Sequence, residues 1–235
     1  MRGSPALVAG LAGAACWCAP APAPLVPLVA RVLAIPRRLD GASGVALTFD
    51  DGPHPDGTPA TLELLARANV TATFFLVGEQ VVRWPELAAA IAAAGHEIAV
   101  HGYRHMLLLR RLPSALARDL AEAADAIGEA TGQAPAVYRP PYGVFSAAGL
   151  ALTRRRGWLP LLWSRWGRDW ERGATPEAIA RRATRALAAG DVLLLHDADH
   201  YSSAGSWRHT VAALPLVIEA ASSRGLPFVP VTHAT

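Results

Sequence analysis

From Gly44 onward, short β-like apolar runs alternate with longer Ala-rich stretches, and that alternation leaves few folds open. Strands are expected at residues 45–49, 71–77, 97–101, 136–139, 158–163, 192–196 and 227–231. Helices are expected at residues 58–68, 85–94, 113–130, 147–156, 176–189 and 210–223. The first of these has Thr58 as its cap and Pro59 at its first helical position, and Gly95, Gly132 and Gly190 stand as stop signals. Strands that alternate with helices pair in parallel. About seven such units, with no glycine-rich dinucleotide fingerprint, predict an α/β fold: a distorted (β/α) barrel that is closed or nearly closed.

Composition removes several function classes. All 22 basic side chains are arginine, so there is no lysine for a Schiff base or a phosphate-binding loop. A formal charge of +3 is too small to argue for nucleic acid as a partner. The only cysteines are Cys16 and Cys18; the chain beyond them has no disulfide, no thiolate-bound zinc and no thiol nucleophile.

Residues 1–36 differ from the rest. Arg2 precedes an apolar stretch over 5–18, followed by a Pro-rich run over 19–24 and a second apolar run over 25–35 broken by Pro27 and Arg31. The first stretch is shorter than the roughly 20 residues that cross a bilayer core. Residues 1–36 therefore read as an export leader or short anchor, or as a helix packed on a domain spanning 37–235. Export or membrane association is favoured over a cytoplasmic location, and a monomer is expected.

The chemistry collects at the ends of the expected strands. Thr48-Phe49-Asp50-Asp51-Gly52-Pro53 sets two adjacent carboxylates before a Gly-Pro breaker. Asp-Gly-Pro is an ordinary loop starter too, but adjacent acids repel and need a cation or a proton to offset the cost. His101 and His105 follow another strand-like run. One carboxylate with two imidazoles leaves coordination positions open on a metal, and the second carboxylate is then free to act as a base. Because the histidines follow a strand, a bend through Gly102 has to bring the rings together. In Arg139-Pro140-Pro141-Tyr142-Gly143 two prolines stiffen the chain and leave the Tyr142 N–H with few local partners. Arg139 would hold a carboxylate by a bidentate contact. His196 ends a strand as a proton donor, and Asp169-Trp170 supplies a carboxylate and an apolar wall. In a barrel all these ends share one mouth. Arg104, Arg165, Arg168 and Arg172 are expected near it, as a solvated rim or as an attraction for an anionic glycan.

These segments, in this order, resemble the polysaccharide deacetylase family, also called the NodB-homology or carbohydrate esterase 4 family. The likeness covers roughly residues 44–232. It implies a divalent metal, zinc or cobalt, on Asp51, His101 and His105. It implies Asp50 as general base, Arg139 as the residue that orients it, and the Tyr142 N–H as oxyanion donor. It also implies His196 as general acid tuned by Asp169, and an acetyl pocket walled by Trp170 and Leu195 beside Pro140 and Pro141. The implied reaction removes N- or O-acetyl groups from an acetylated glycan. Two motifs depart from the family pattern: in the second, Gly102 stands where a Ser or Thr hydroxyl braces the loop and Met106 where a Pro follows the second histidine, and in the fourth Trp166 stands where an Asp begins it. Two other functions stay open, a metal-dependent hydrolase of a different C–N or ester bond and an inactive carbohydrate-binding scaffold of the cell envelope.

Overall fold

A computed structural model describes residues 13–234. Most of the apolar stretch over 5–18 lies outside the described residues. Seven strands form one sheet: β1 (Ala46–Asp50), β2 (Thr73–Leu76), β3 (Glu97–Val100), β4 (Val137–Tyr138), β5 (Leu159–Pro160), β6 (Arg165–Trp166) and β7 (Val192–His196). Their spatial order is β5-β4-β3-β2-β1-β7-β6, with every pairing parallel. The sheet curls into a (β/α) barrel that stays open between β5 and β6.

Both faces of the central strands are covered, which is why they read as near-continuous apolar runs. All five residues of β1 are buried. Phe49 stacks on Phe74 of β2 with ring centroids 5.0 Å apart. Thr48 and Asp50 share the opposite face, because successive strand residues alternate; both meet the Arg139 guanidinium there.

The opening between β5 and β6 is occupied by the N-terminal segment. The Leu162 N–H donates to the Pro36 carbonyl (2.9 Å), Arg37 Nε–H donates to the Trp163 carbonyl (3.0 Å), and Arg38 bridges Asp191 in antiparallel fashion. Ala23, Ala30 and Ile35 are buried in the same core as the strands, and Ala30 comes from a short helix, Pro27–Val32. Among the described residues, no helix is long and apolar enough to cross a membrane.

Three local expectations are corrected. Residues 227–231 make no strand: Val45 and Phe228 form an isolated bridge, and a 3-10 turn begins at Val231. Pro227 and Pro230 lack ladder donors, while the Val231 and Thr232 N–H groups donate to the Glu97 carboxylate instead (2.7 and 3.2 Å). The seventh strand is β6, too short to show a period. Thr58 is not a cap either; its hydroxyl accepts the His54 N–H and donates to Asp197, inside a helix that begins at Gly57.

Candidate active site

Parallel strands bring their C-terminal ends to one rim. Asp50 closes β1 directly opposite His196 of β7 in the ladder register. His101 follows β3, Arg139 follows β4, and Asp169 follows β6. Two neighbours on a strand point to opposite faces, so Asp50 and Asp51 reach one cavity only because the strand ends between them. Asp51 takes a left-handed backbone (φ 78°) that turns its side chain back toward the mouth. Gly102 (φ 94°) supplies the expected bend between the histidines, whose ring centroids lie 5.3 Å apart. The loop is braced without a hydroxyl at 102, since the buried Asp119 carboxylate accepts the Tyr103 N–H (3.0 Å).

Asp51, His101 and His105 fit a divalent cation. Asp51 Oδ1 lies 3.4 Å from His101 Nε2 and 3.3 Å from His105 Nε2, and the three ligand atoms fall within 4.8 Å of one another. That oxygen is buried and receives no hydrogen bond among the described residues. His101 Nδ1–H donates to the Arg139 carbonyl (2.8 Å), which directs the Nε2 lone pair at Asp51. Burial pushes the Asp51 carboxyl up, but the two imidazoles and the His196 charge outweigh it and hold the group well below the usual carboxylate range. An anionic oxygen facing two imidazole nitrogens in a dry site is the donor set zinc-type ions use.

A second His/Asp cluster among the described residues, His54, Asp199 and His200, is different in kind. His54 Nδ1 accepts the Asp56 and Gly57 N–H groups, so its Nε2–H donates to Asp199 (3.1 Å). His200 Nε2–H donates to the Pro53 carbonyl (3.1 Å). These contacts already use both nitrogens of His54 and Nε2 of His200, and the group is a hydrogen-bonded brace.

Asp50 is held by Arg139, which is fully buried. Arg139 Nη1 donates to Asp50 Oδ1 (2.6 Å) and to Thr48 Oγ1 (2.9 Å), while Nη2 donates to the Leu162 carbonyl (3.1 Å). The contact with Asp50 is single and not the bidentate fork expected, because the remaining donors serve backbone carbonyls. Asp50 Oδ2 is left toward the triad, 3.8 Å from His101 Nε2.

His196 faces the cavity from β7. The Asp169 carboxylate accepts from His196 Nδ1–H (3.0 Å), from the His196 backbone N–H (2.6 Å) and from Thr210 Oγ1 (2.8 Å). Burial alone lowers the His196 pKa, but Asp169, then Asp51 and Asp50, outweigh it and push it up from 6.5 to about 10. The folded value lies above the unfolded one. The stability this group contributes is therefore full below about pH 6.5 and lost as pH rises through about 10. In metal-free Asp169→Asn protein, His196 should titrate at a lower pH than in wild type when followed by NMR of the ring protons. An unchanged titration would remove Asp169 as its tuning partner.

The cavity has a volume of about 310 Å³, and its walls are largely aromatic: Tyr142, Trp163, Trp166, Trp170 and Tyr201, with Leu194. Trp170 is where the sequence places it, with its ring against His196 (centroids 5.3 Å apart). Leu195 is not a wall. It alternates to the other face of β7 and packs near Gly167 and Ile179, and Leu194 lines the cavity in its place. Since Leu194 lies two residues from His196, period-two reasoning could have identified it. Pro140 and Pro141 are buried and do not line the cavity. Their turn is closed by Gly143 N–H to the Pro140 carbonyl and Val144 N–H to the Pro141 carbonyl, neither of which uses the Tyr142 N–H. Trp166 puts an indole, 5.5 Å from that of Trp170, where the family pattern has a carboxylate. None of the four arginines expected near the mouth lines it; Arg165 sits at the start of β6, paired with Asp191 (3.1 Å).

Tyr201 was not legible in the sequence. Its ring stacks on His105 at 4.2 Å and 10°, and its hydroxyl donates to Glu79 Oε1 (2.7 Å) while accepting from Gln80 Nε2 (3.0 Å). His105 Nδ1 has no hydrogen-bond partner among the described residues. A ligating imidazole is normally oriented through its second nitrogen; here stacking does that work. Tyr201→Ala should weaken metal affinity by about tenfold and Tyr201→Phe far less, measured by chelator competition. Equal affinities in all three proteins would dismiss the role.

The sequence and fold have relatives that carry names. A family model described as polysaccharide deacetylase matches residues 39–158. A chitooligosaccharide deacetylase of Bradyrhizobium sp. is 36% identical over 199 residues, 82% of this chain and 90% of the relative. The Bc1960 peptidoglycan N-acetylglucosamine deacetylase superposes with a TM-score of 0.77 at 30% identity, covering 83% of this chain and 88% of that one. A Bacillus anthracis protein described as a pseudoenzyme of the same carbohydrate esterase family superposes with a TM-score of 0.74 at 25% identity, covering 83% and 66%. With the family model spanning half the chain and the relatives matching along most of its length, this chain belongs to the polysaccharide deacetylase family.

Proposed function

We propose that the chain hydrolyses acetyl groups from an N-acetylated glycan of the chitin-oligomer or peptidoglycan type, with zinc held by Asp51, His101 and His105. As a polysaccharide deacetylase it is a hydrolase of non-peptide C–N bonds and depends on a divalent metal. The same fold serves a protein described as a pseudoenzyme, so activity is argued from side chains. The observation that carries it is the buried, unpartnered Asp51 Oδ1 facing two imidazole Nε2 atoms.

When bound, the ion supplies Lewis-acid polarisation of the acetyl carbonyl and lowers the pKa of water at the site. Asp50 takes the proton of the attacking water, its Oδ1 fixed by Arg139 so that Oδ2 receives it. The Tyr142 N–H, left out of the turn's own hydrogen bonds, donates to the oxygen that develops negative charge. His196, protonated and held by Asp169, gives its proton to the departing amine. Leu194, Trp170 and Trp166 exclude water around the acetyl methyl. Residues 1–36 belong to the same reading as a segment that keeps a monomeric enzyme at an envelope membrane.

The test is acetate release by zinc-reconstituted protein from N-acetylglucosamine oligomers and from peptidoglycan, with acetylated xylan as the O-acetyl comparison. Release from the N-acetylated substrates is expected. Bound zinc without acetate from any of them would redirect the assignment to another bond, and neither zinc nor acetate would leave a scaffold.

A further inference from the structure

The N-terminal segment has two features that the barrel and its catalytic cavity do not use. Its apolar side chains face outward: Leu25 and Val32 are each 73% exposed and Leu28 is 58% exposed. With Val26, they make four of the nine exposed large apolar residues among those described, all within residues 25–32. Single exposed apolar groups are ordinary, but a cluster in one stretch of chain marks a contact surface. On the helix Pro27–Val32, Leu28 and Val32 are four apart and share a face, Ala30 points into the core, and Arg31 stands at the boundary.

The second feature is charge. A cavity of about 650 Å³ adjoins this helix, lined by Arg31, Arg37, Arg38 and Arg165 against Asp40 and Asp191. Asp191 is fully buried and already paired with both Arg38 and Arg165. Arg31 and Arg37 have no acidic partner among the described residues. Residues 1–39 contain four arginines and no Asp or Glu at all. A surface with an apolar row and an edge where arginines outnumber acids, four to two, is complementary to a lipid interface, where acyl chains lie beneath a layer of phosphate.

We propose that this face docks on an anionic phospholipid membrane, with Leu25, Leu28 and Val32 entering the acyl boundary while Arg31 and Arg37 pair with lipid phosphates. The proposal rests on the membrane-associated reading of residues 1–36 and specifies its lipid.

The test uses the full chain and sedimentation with vesicles of phosphatidylcholine alone or mixed with phosphatidylglycerol. The wild type should sediment with the mixed vesicles and be released by salt. Leu28→Ser combined with Val32→Ser should abolish sedimentation, and Arg31→Gln should weaken it about fivefold. These side chains are exposed, so the fold is expected to survive, with circular dichroism as the check. Failure of the wild type to bind, equal binding to neutral vesicles, or binding that persists in the variants would overturn the proposal. So would a dimer by light scattering that the serine variants dissociate, since the face would then belong to a second copy. Acetate release from soluble oligomers should be unchanged in the variants. Wild-type protein that binds vesicles yet releases no acetate would count against the catalytic reading alone.

Discussion

Asp50→Asn should lower turnover by roughly 10²–10⁴-fold, the range for loss of a general base, with bound metal unchanged. The substitution keeps the shape of the side chain and an oxygen that can still accept from Arg139 Nη1, so the contact that positions residue 50 survives. What it removes is the ability to take a proton. The metal should stay because its proposed ligands are Asp51, His101 and His105, and residue 50 approaches them only at 3.8 Å from His101 Nε2. Asp51→Asn is the contrast: it weakens the one anionic ligand, and metal content and turnover should fall together. Metal stoichiometry measured beside acetate release separates the two carboxylates. An Asp50→Asn protein that kept more than about a tenth of wild-type turnover would exclude Asp50 as base, since so small a loss is less than a general base contributes.

Arg139→Leu should destabilise the fold by about 3–5 kcal/mol, the usual cost of removing one partner from a buried ion pair. Arg139 has no exposed surface and Asp50 only 3%. Leucine would leave the carboxylate without its cation. It would also strip donors from Thr48 Oγ1 and the Leu162 carbonyl and remove the guanidinium lying 3.9 Å from the Phe75 ring centroid. Lysine does not rescue the arrangement, because one ammonium cannot span the carboxylate, the hydroxyl and the carbonyl that the planar group reaches. Denaturant unfolding should show a lower midpoint at an unchanged slope. Combining the change with Asp50→Asn should cost less than the two separate losses added, since no anion is then left buried alone. A loss below about 1 kcal/mol would mean that the pair is not the internal strut described.

The parts of this molecule legible in the sequence were those with a strong local signal. β1, β3 and β7 are largely apolar runs, with Asp50 and His196 closing β1 and β7 and His101 directly after β3, so both the strands and the chemistry at their ends could be read along the chain. β6 could not, because two residues show no period; its existence depends on pairing with Leu193 and Leu194. The run at 227–231 failed for the opposite reason. It is apolar enough for a strand, but Glu97, far away in sequence, takes the backbone donors a ladder would use. Leu195 and Leu194 differ only in which way the strand faces them; residue type cannot report that, although the two-residue spacing of Leu194 from His196 does.

Sequence alone determined the parallel α/β architecture, the two carboxylates, the two imidazoles and the strand ends that carry them, because propensity and period act over a few residues. Tertiary structure decided what no neighbour along the chain could: that Arg139 spends its fork on three different partners, that Tyr201 orients His105 by stacking, and that residues 23–39 fill the opening between β5 and β6. Each of these depends on the direction of a side chain across a gap closed by folding, and direction in space has no counterpart in residue order.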